Sequence, residues 1–295
     1  MTAAPAAGQV PARRRASASF WRAAWYRYRR NRLALVAGVI VVFLLLVGIL
    51  APYIAPYDEA STDLTAVMTG VSPQHWLGTD QIGRDTLTRA IWGARTSMTV
   101  AIGAPLIGLA IGLPIGIVAG WFGGIFDWFT LRLFELFQMI PTILAALLFI
   151  TVFGVDVWKL TLFLGVTSWV GFGRLARAQF LALRERDYVL AARAMVVPSW
   201  RIIIFHILPN AAGPIIVFFI QQIPSVIFTA AGFSFLGLGI EDPRADWGKM
   251  INDSVSYLPI DALLVLVPIG CIALACLSFS FLGDGLRDAL DPTSR

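Results

Sequence analysis

The sequence predicts an all-α integral membrane protein with six transmembrane helices, and three observations carry that reading. Of its 295 residues 58% are hydrophobic and only 14% charged, with a mean hydropathy of +0.75. A packed soluble domain keeps about a quarter of its residues charged. The apolar residues gather in runs of membrane length, since about 20 helical residues rising ~1.5 Å each cross a ~30 Å hydrocarbon core. Basic residues also concentrate beside alternate runs, the asymmetry expected of cytoplasmic loops.

Residues 1–32 form an Arg-rich tail. Residues 1–19 are Ala, Pro, Arg and Ser without apolar period and are expected to be disordered. Arg13, Arg14, Arg15, Arg22, Arg27, Arg29, Arg30 and Arg32 all precede the first apolar run. Nucleic acid is one partner for such a cluster. The apolar run behind it favours membrane lipids instead, because each Arg near an anionic leaflet contributes on the order of 1 kcal/mol. The N-terminus is therefore placed in the cytoplasm and no nucleic-acid partner is expected.

Residues 33–52 form the first transmembrane helix. Its apolar stretch Leu33–Leu50 is long for a signal-peptide core and ends in Ala-Pro-Tyr-Ile-Ala-Pro-Tyr, without a small-x-small cleavage pattern. Residues 53–95, with Asp58, Glu59, Asp63, Asp80 and Asp85, form an extracytoplasmic segment. Residues 96–284 hold five further spans, at 97–120, 128–153, 157–174, 211–236 and 261–282, with a cytoplasmic loop at 174–210. Residues 285–295 form a cytoplasmic tail.

Loop charges agree with this topology. Arg174, Arg177, Arg184, Arg186, Arg193 and Arg201 lie in the cytoplasmic loop, against Glu185 and Asp187. The outer segment 240–260 carries Glu241, Asp242, Asp246 and Asp253 against Arg244 and Lys249. In the second span Gly108, Gly112 and Gly116 have the spacing that lets two helices approach closely. Pro105, Pro114, Pro141, Pro214, Pro224 and Pro268 interrupt the spans and predict kinked, movable helices.

Composition excludes much chemistry. Cys271 and Cys276 are five residues apart on one helix and point to different sides, so neither a disulfide nor a metal pair is expected. The two histidines, His75 and His206, fall on opposite sides of the membrane. Neither lysine, Lys159 or Lys249, sits in the Gly-Lys-Ser/Thr context of a phosphate-binding loop. No catalytic site, metal site or bound cofactor is expected, and any ATP must be bound by another polypeptide. Asp127, Arg132 and Glu135 lie near the cytoplasmic end of the third span, where Arg132 and Glu135 can pair at i, i+3. Gln138, Gln221 and Gln222 fall inside spans, where amides either bond across helices or line a wet path. Asp156 and Lys159 flank an outer turn.

The cytoplasmic loop holds the functional candidates. Tyr188, Ala191, Ala192 and Met195 match i, i+3, i+4, i+7, a small apolar stripe with Asp187, Arg186 and Arg193 beside it. An interfacial helix on lipid is the alternative, but an alanine stripe suits close contact with protein better. Pro198 bars helix continuation, and Asn210 is a candidate N-cap for the next span.

Ala191-Ala192 with the following turn and His206-Ile-Leu-Pro-Asn210 resembles the EAA loop of bacterial ABC importer permeases. Trp76-Leu-Gly-Thr-Asp80, Gly83-Arg-Asp85, Gly93-Ala-Arg-Thr-Ser97, Ser234-Phe-Leu-Gly-Leu-Gly239, Trp247-Gly248 and Leu282–Pro292 resemble, in order, signatures of the dipeptide, oligopeptide and nickel subgroup. The similarity covers residues 30–292 and is to C-type subunits. It implies a type I importer permease bundle working by alternating access, with a coupling helix that docks into an ATPase subunit. Asp187, Tyr188, Ala191, Ala192, Arg193, Ala194, Met195, Pro198, Trp200 and Arg201 are its coupling residues in this chain. The implied partners are a paralogous permease, two ATPase subunits carrying ATP and Mg, and an extracytoplasmic substrate-binding protein. The implied cargo is short peptides, with nickel, glutathione or another small solute as alternatives. A channel and a membrane-embedded enzyme are the rivals from other classes. Two positions depart from the pattern. The EAA glutamate is absent, and Val196 stands where a glycine usually follows the helix. Valine resists positive φ, so the turn is expected to run through Pro198 instead.

Overall fold

The computed structural model describes residues 16–290, and among these all regular structure is helical. The tail up to residue 15 and residues 291–295 lie outside the described residues, so the disorder expected for 1–19 is untested up to residue 15. From Ala16 the chain is helical: α1 runs Ala16–Arg30 and meets α2, Arg32–Ile54, across Asn31. The Asn31 side chain caps α2 by accepting from the Ala34 N–H at 3.1 Å. The long outer segment then leads to α3, Thr86–Phe122, which begins well ahead of residue 97 because the Asp85 carboxylate accepts from Thr88 N–H at 2.7 Å.

α4, Gly124–Met139, and α5, Thr142–Phe153, are bent by 78° at Ile140-Pro141. α6 is Val157–Arg184 and α7 is Asp187–Ala194. α8, Ser199–Ile202, continues through a π turn at Ile203–Ile207 into α9, Leu208–Phe235. α10 is Trp247–Ser254 and α11 is Leu263–Leu290. Residues 285–290, expected as tail, therefore continue α11, and Ala289 is buried with Tyr28 and Ala34.

Four rods are long and apolar enough to cross a membrane: α2, α3, the run Ser199–Phe235 and α11. The bent pair α4–α5 qualifies as a fifth if it is one span. α6 occupies the fourth expected span but falls short in composition. Its Thr161, Gly165, Trp169 and Gly173 are buried in the bundle, so protein rather than lipid surrounds much of it.

The α3–α6 seam explains the glycine spacing. A Cβ on Gly112 would lie 2.2 Å from the Trp169 carbonyl oxygen, and one on Gly116 2.3 Å from that of Gly173. Only glycine permits that backbone approach. A second core joins α2, α3, α9, α10 and α11 through Leu44, Met98, Ile227, Trp247 and Phe279.

Asn210 is not an N-cap. It lies within a continuous helical rod, and its amide donates to the His206 carbonyl at 2.5 Å. The sequence suggested a break because Pro209 cannot donate to a carbonyl one turn back. The π turn absorbs that defect, shifting the Leu208 N–H bond to Ile203 and letting the rod continue.

Candidate functional site

α7 is an eight-residue helix between the end of α6 and the start of the α8–α9 rod. Asp187 in its first turn and Arg193 in its last complement the helix dipole. The orientation differs from the expected stripe. Val189 and Ala192 face inward, 0% and 3% exposed, and pack with Trp121, Phe180, Ile202 and Ile207. Tyr188 is half-buried, with its hydroxyl enclosed and unbonded. Ala191, Ala194 and Met195 are exposed, and Leu190 joins them. Tyr188, Ala191, Ala192 and Met195 therefore do not share one outward face. Periodicity over eight residues allowed either side to be the inner one, and the intrachain core selected Val189.

The turn after α7 also differs from expectation. Val196 adopts φ +55, the left-handed conformation that valine was expected to refuse. Val196 N–H donates to Arg193 O at 2.9 Å and Val197 N–H to Ala192 O at 3.1 Å, the paired bonds of a Schellman cap. Val197 then packs into the core beside Ala192, whereas Val196 is 87% exposed. Burying Val197 and closing two hydrogen bonds offset the ~1–2 kcal/mol cost of the left-handed region for a residue with Cβ. Pro198 follows the turn and N-caps α8 instead of making the turn. Trp200 is exposed, with Arg201 over its ring at 5.3 Å, and Arg193 lies 4.2 Å above Trp121.

The amide candidates are scattered. Gln138 is exposed on α4, and Gln221 donates to Asp284 of α11 at 3.3 Å. Gln222 is half-buried. The expected Arg132–Glu135 pair forms at 2.6 Å on an exposed face, and Asp156–Lys159 at 3.4 Å. Asp127 is instead held by Arg177 in a bidentate contact that ties α4 to α6.

The other end of α3 carries an ion network that sequence patterns did not reveal. Arg84 contacts Asp80 at 2.5 Å, Asp242 at 2.6 Å and Asp253 at 3.3 Å, and Lys249 reaches Asp242 and Asp253 at 3.4 and 3.3 Å. Arg89, only 2% exposed, sits 3.8–4.0 Å from the same three carboxylates. Burial would push the Asp242 carboxyl up, but Arg84 and Lys249 outweigh it and hold it below the usual range. Beside them Asp246 is buried and accepts from Ser97 Oγ at 3.2 Å and Lys249 N–H at 3.2 Å, and burial pushes its carboxyl up. Trp247 fills the space a Cβ on Gly93 would need and donates to Ala90 O at 3.0 Å. Signatures far apart in sequence thus meet at one end of the bundle. The signal was the acid and base count of 240–260; the pairing across more than 150 residues was not.

Fold and surfaces together define a multi-pass helical membrane protein with an exposed short helix at one end and a locked polar cap at the other. Residues 112–295 match the model of the binding-protein-dependent transport system inner membrane component family, and residues 19–70 that of the N-terminal TM domain of oligopeptide transport permease C. The chain is 36% identical over 293 residues to the oligopeptide transport system permease protein OppC of Bacillus subtilis (strain 168), covering 99% of this chain and 96% of the relative. It is 37% identical to the dipeptide transport system permease protein DppC of Alkalihalophilus pseudofirmus, over 92% of this chain and 90% of that one. The glutathione transport system permease protein GsiD of Pectobacterium atrosepticum is also 37% identical, over 92% and 91%. The chain belongs to the family of binding-protein-dependent transport system inner membrane components. It is a permease subunit of an ATP-binding cassette importer and not an enzyme; ATP hydrolysis resides in separate subunits.

Proposed function

We propose that this permease moves short peptides across the bacterial cytoplasmic membrane by alternating access, and that α7 with the turn after it is where an ATPase subunit attaches. In this reading α4–α5 and α6 each count as a span, giving six, and both termini are cytoplasmic. The chain pairs with a paralogous permease, two ATPase subunits carry ATP and Mg, and an extracytoplasmic binding protein delivers cargo to the outer cap. Oligopeptide and dipeptide relatives spanning nearly the whole chain support the cargo class. The glutathione relative supports a second reading, a small peptide-like solute of that kind.

The observation that carries the coupling role is the apolar outward face of α7. Leu190, Ala191, Ala194, Met195 and Val196 are exposed at the arginine-rich end, with Asp187, Arg193, Trp200 and Arg201 around them. Such a face away from the spans suits a protein cleft. Tyr188 and Ala192 support it from behind while Pro198 is exposed beside it, so Ala192 is a poor probe and Met195 a good one.

The test is affinity purification from native membranes with co-purifying chains identified by mass. A second permease and P-loop subunits are expected. A Met195→Glu variant keeps the permease and loses the ATPases. Recovery of this chain alone, or ATPases retained by the variant, would overturn the assignment. Uptake of labelled dipeptides and of glutathione then separates the two cargo readings.

A further inference from the structure

We infer that the outer face of α1 is a binding surface for the phosphate headgroups of anionic phospholipids, built from Arg22, Trp25, Tyr26, Arg29 and Arg30. Clustered charge in the sequence points to lipid in general. The fold selects which side chains meet it.

At ~100° per residue those five positions fall within an arc of about 140°. All five are exposed, Trp25 and Tyr26 at 57% and 65%. The opposite side of the helix is fixed. Ala24 and Tyr28 are buried there, and the Tyr28 hydroxyl donates to Ala34 O of α2 at 2.8 Å. The same hydroxyl fills the space that a Cβ on Gly38 would need. Tyr28, Ala34 and Ala289 of α11 share one core, so α1 cannot roll without opening it. Arg27 is turned off the outer face and half-buried.

The chemistry of the face and its depth name the occupant. α1 carries no acidic residue, and among the described residues no carboxylate pairs with Arg22, Arg29 or Arg30. Two of the three stand over aromatic rings instead. Arg29 Cζ lies 6.0 Å from the Trp25 ring centroid, and Arg30 Cζ 6.0 Å from that of Tyr26. The guanidinium N–H groups remain for a phosphate, which arginine binds through two parallel bonds, while indole and phenol rings settle at headgroup level. Only Asn31 separates α1 from α2, and Leu33 and Val36 at the start of that span are 66% and 58% exposed. Arg30 is three residues from Leu33, at most about 10 Å along the chain, which stays within reach of the headgroups beside the hydrocarbon. The tether to a span also removes most of the cost of bringing α1 to the surface.

Neither cargo nor ATPase docking bears on this contact, and a bilayer with the same lipids in both leaflets offers it on either side of the membrane. The test uses the intact complex purified in detergent with equal phosphatidylglycerol and phosphatidylcholine, its retained lipids counted by native mass spectrometry. Wild type is compared with Arg22→Gln/Arg29→Gln/Arg30→Gln and with Arg13→Gln/Arg14→Gln/Arg15→Gln, an equal loss of charge outside the face. Wild type is expected to retain phosphatidylglycerol in preference. The first variant is expected to lower that preference at least about fivefold, because arginines at an anionic surface add their contributions. The second is expected to keep most of it. In phosphatidylcholine nanodiscs the first variant is expected to melt like wild type, since its three side chains are exposed. In phosphatidylglycerol nanodiscs wild type is expected to melt higher than that variant, as a bound ligand stabilises the fold. Equal retention of the two lipids by wild type would overturn the assignment. So would equal losses in the two variants, because net charge and not the face would then attract lipid. Lower melting of the first variant in phosphatidylcholine would make its arginines structural and count against it too. Loss of the ATPase subunits with lipid preference unchanged would make the face a protein-docking surface instead.

Discussion

Asp246 is a carboxyl whose surroundings oppose its charge. It is buried, it accepts from Ser97 and from the Lys249 backbone, and burial raises its proton affinity above that of an unfolded Asp. The native chain therefore holds this proton at pH values where the unfolded chain has released it, and stability falls as pH rises from the ordinary carboxyl range, near ~3.9, through the raised native value. Asp246→Asn removes that loss. Its melting temperature is expected to exceed that of wild type at pH 8, with the gap narrowing toward pH 5. A gap independent of pH would show that Asp246 is not the titrating group. Composition told that 240–260 is acidic; it could not tell which of four acids would be enclosed. That depended on Ser97 arriving from α3, 149 residues away in sequence.

Elements were legible where long apolar runs set them. The local caps at Asn31 and Asp85 went unread, and α3 starts at Thr86, ahead of the expected residue 97. The glycine spacing in α3 announced a close seam without naming α6 as its partner. A Gly112→Ala substitution would drive a methyl into the Trp169 carbonyl and is expected to cost about 1–3 kcal/mol, read as a lower melting temperature. Gly270→Ala, where no atom lies within 4 Å, is the matched control and is expected to leave melting unchanged or raised. Equal effects at both positions would mean that the seam is not close-packed. The errors came from elements whose outcome is tertiary. α7 turned Val189 inward because Trp121 and Ile207 cover that side, and Asn210 lost its cap role because a π turn absorbed Pro209. Val196 took a backbone conformation that its own side chain disfavours because Val197 gains a place in the core.

At the scale of the whole molecule, α3 joins two specialised ends. Arg89 lies in its first turn and Trp121 in its last, about 48 Å apart along the axis at ~1.5 Å per residue. Changes at the two ends should add, since distant sites without shared partners behave independently. Arg84→Met leaves Asp80, Asp242 and Asp253 short of a cation and is expected to destabilise by ~3–5 kcal/mol. Because Arg84 is buried, that loss should be nearly the same at low and high salt. Combined with Met195→Glu, it should lower melting without altering ATPase release beyond the single variant. A large non-additive term would reveal that the polar cap and the α7 face communicate in the resting state.

The π turn at Ile203–Ile207 has a consequence for how the chain tolerates length change. Each helical residue advances the rod by ~100° of rotation. A residue removed from the outer segment 58–76 breaks local bonds such as Asp63 N–H to Gly83 O but rotates no helix. A residue removed within 203–207 rotates everything before it, including α7, by about a quarter-turn about the axis of α9. The turn is a bearing as much as a joint: it fixes the compass direction of α7 while leaving its reach almost unchanged. Homologous chains should keep a constant residue count through this turn, which an alignment of their lengths over 203–207 would check.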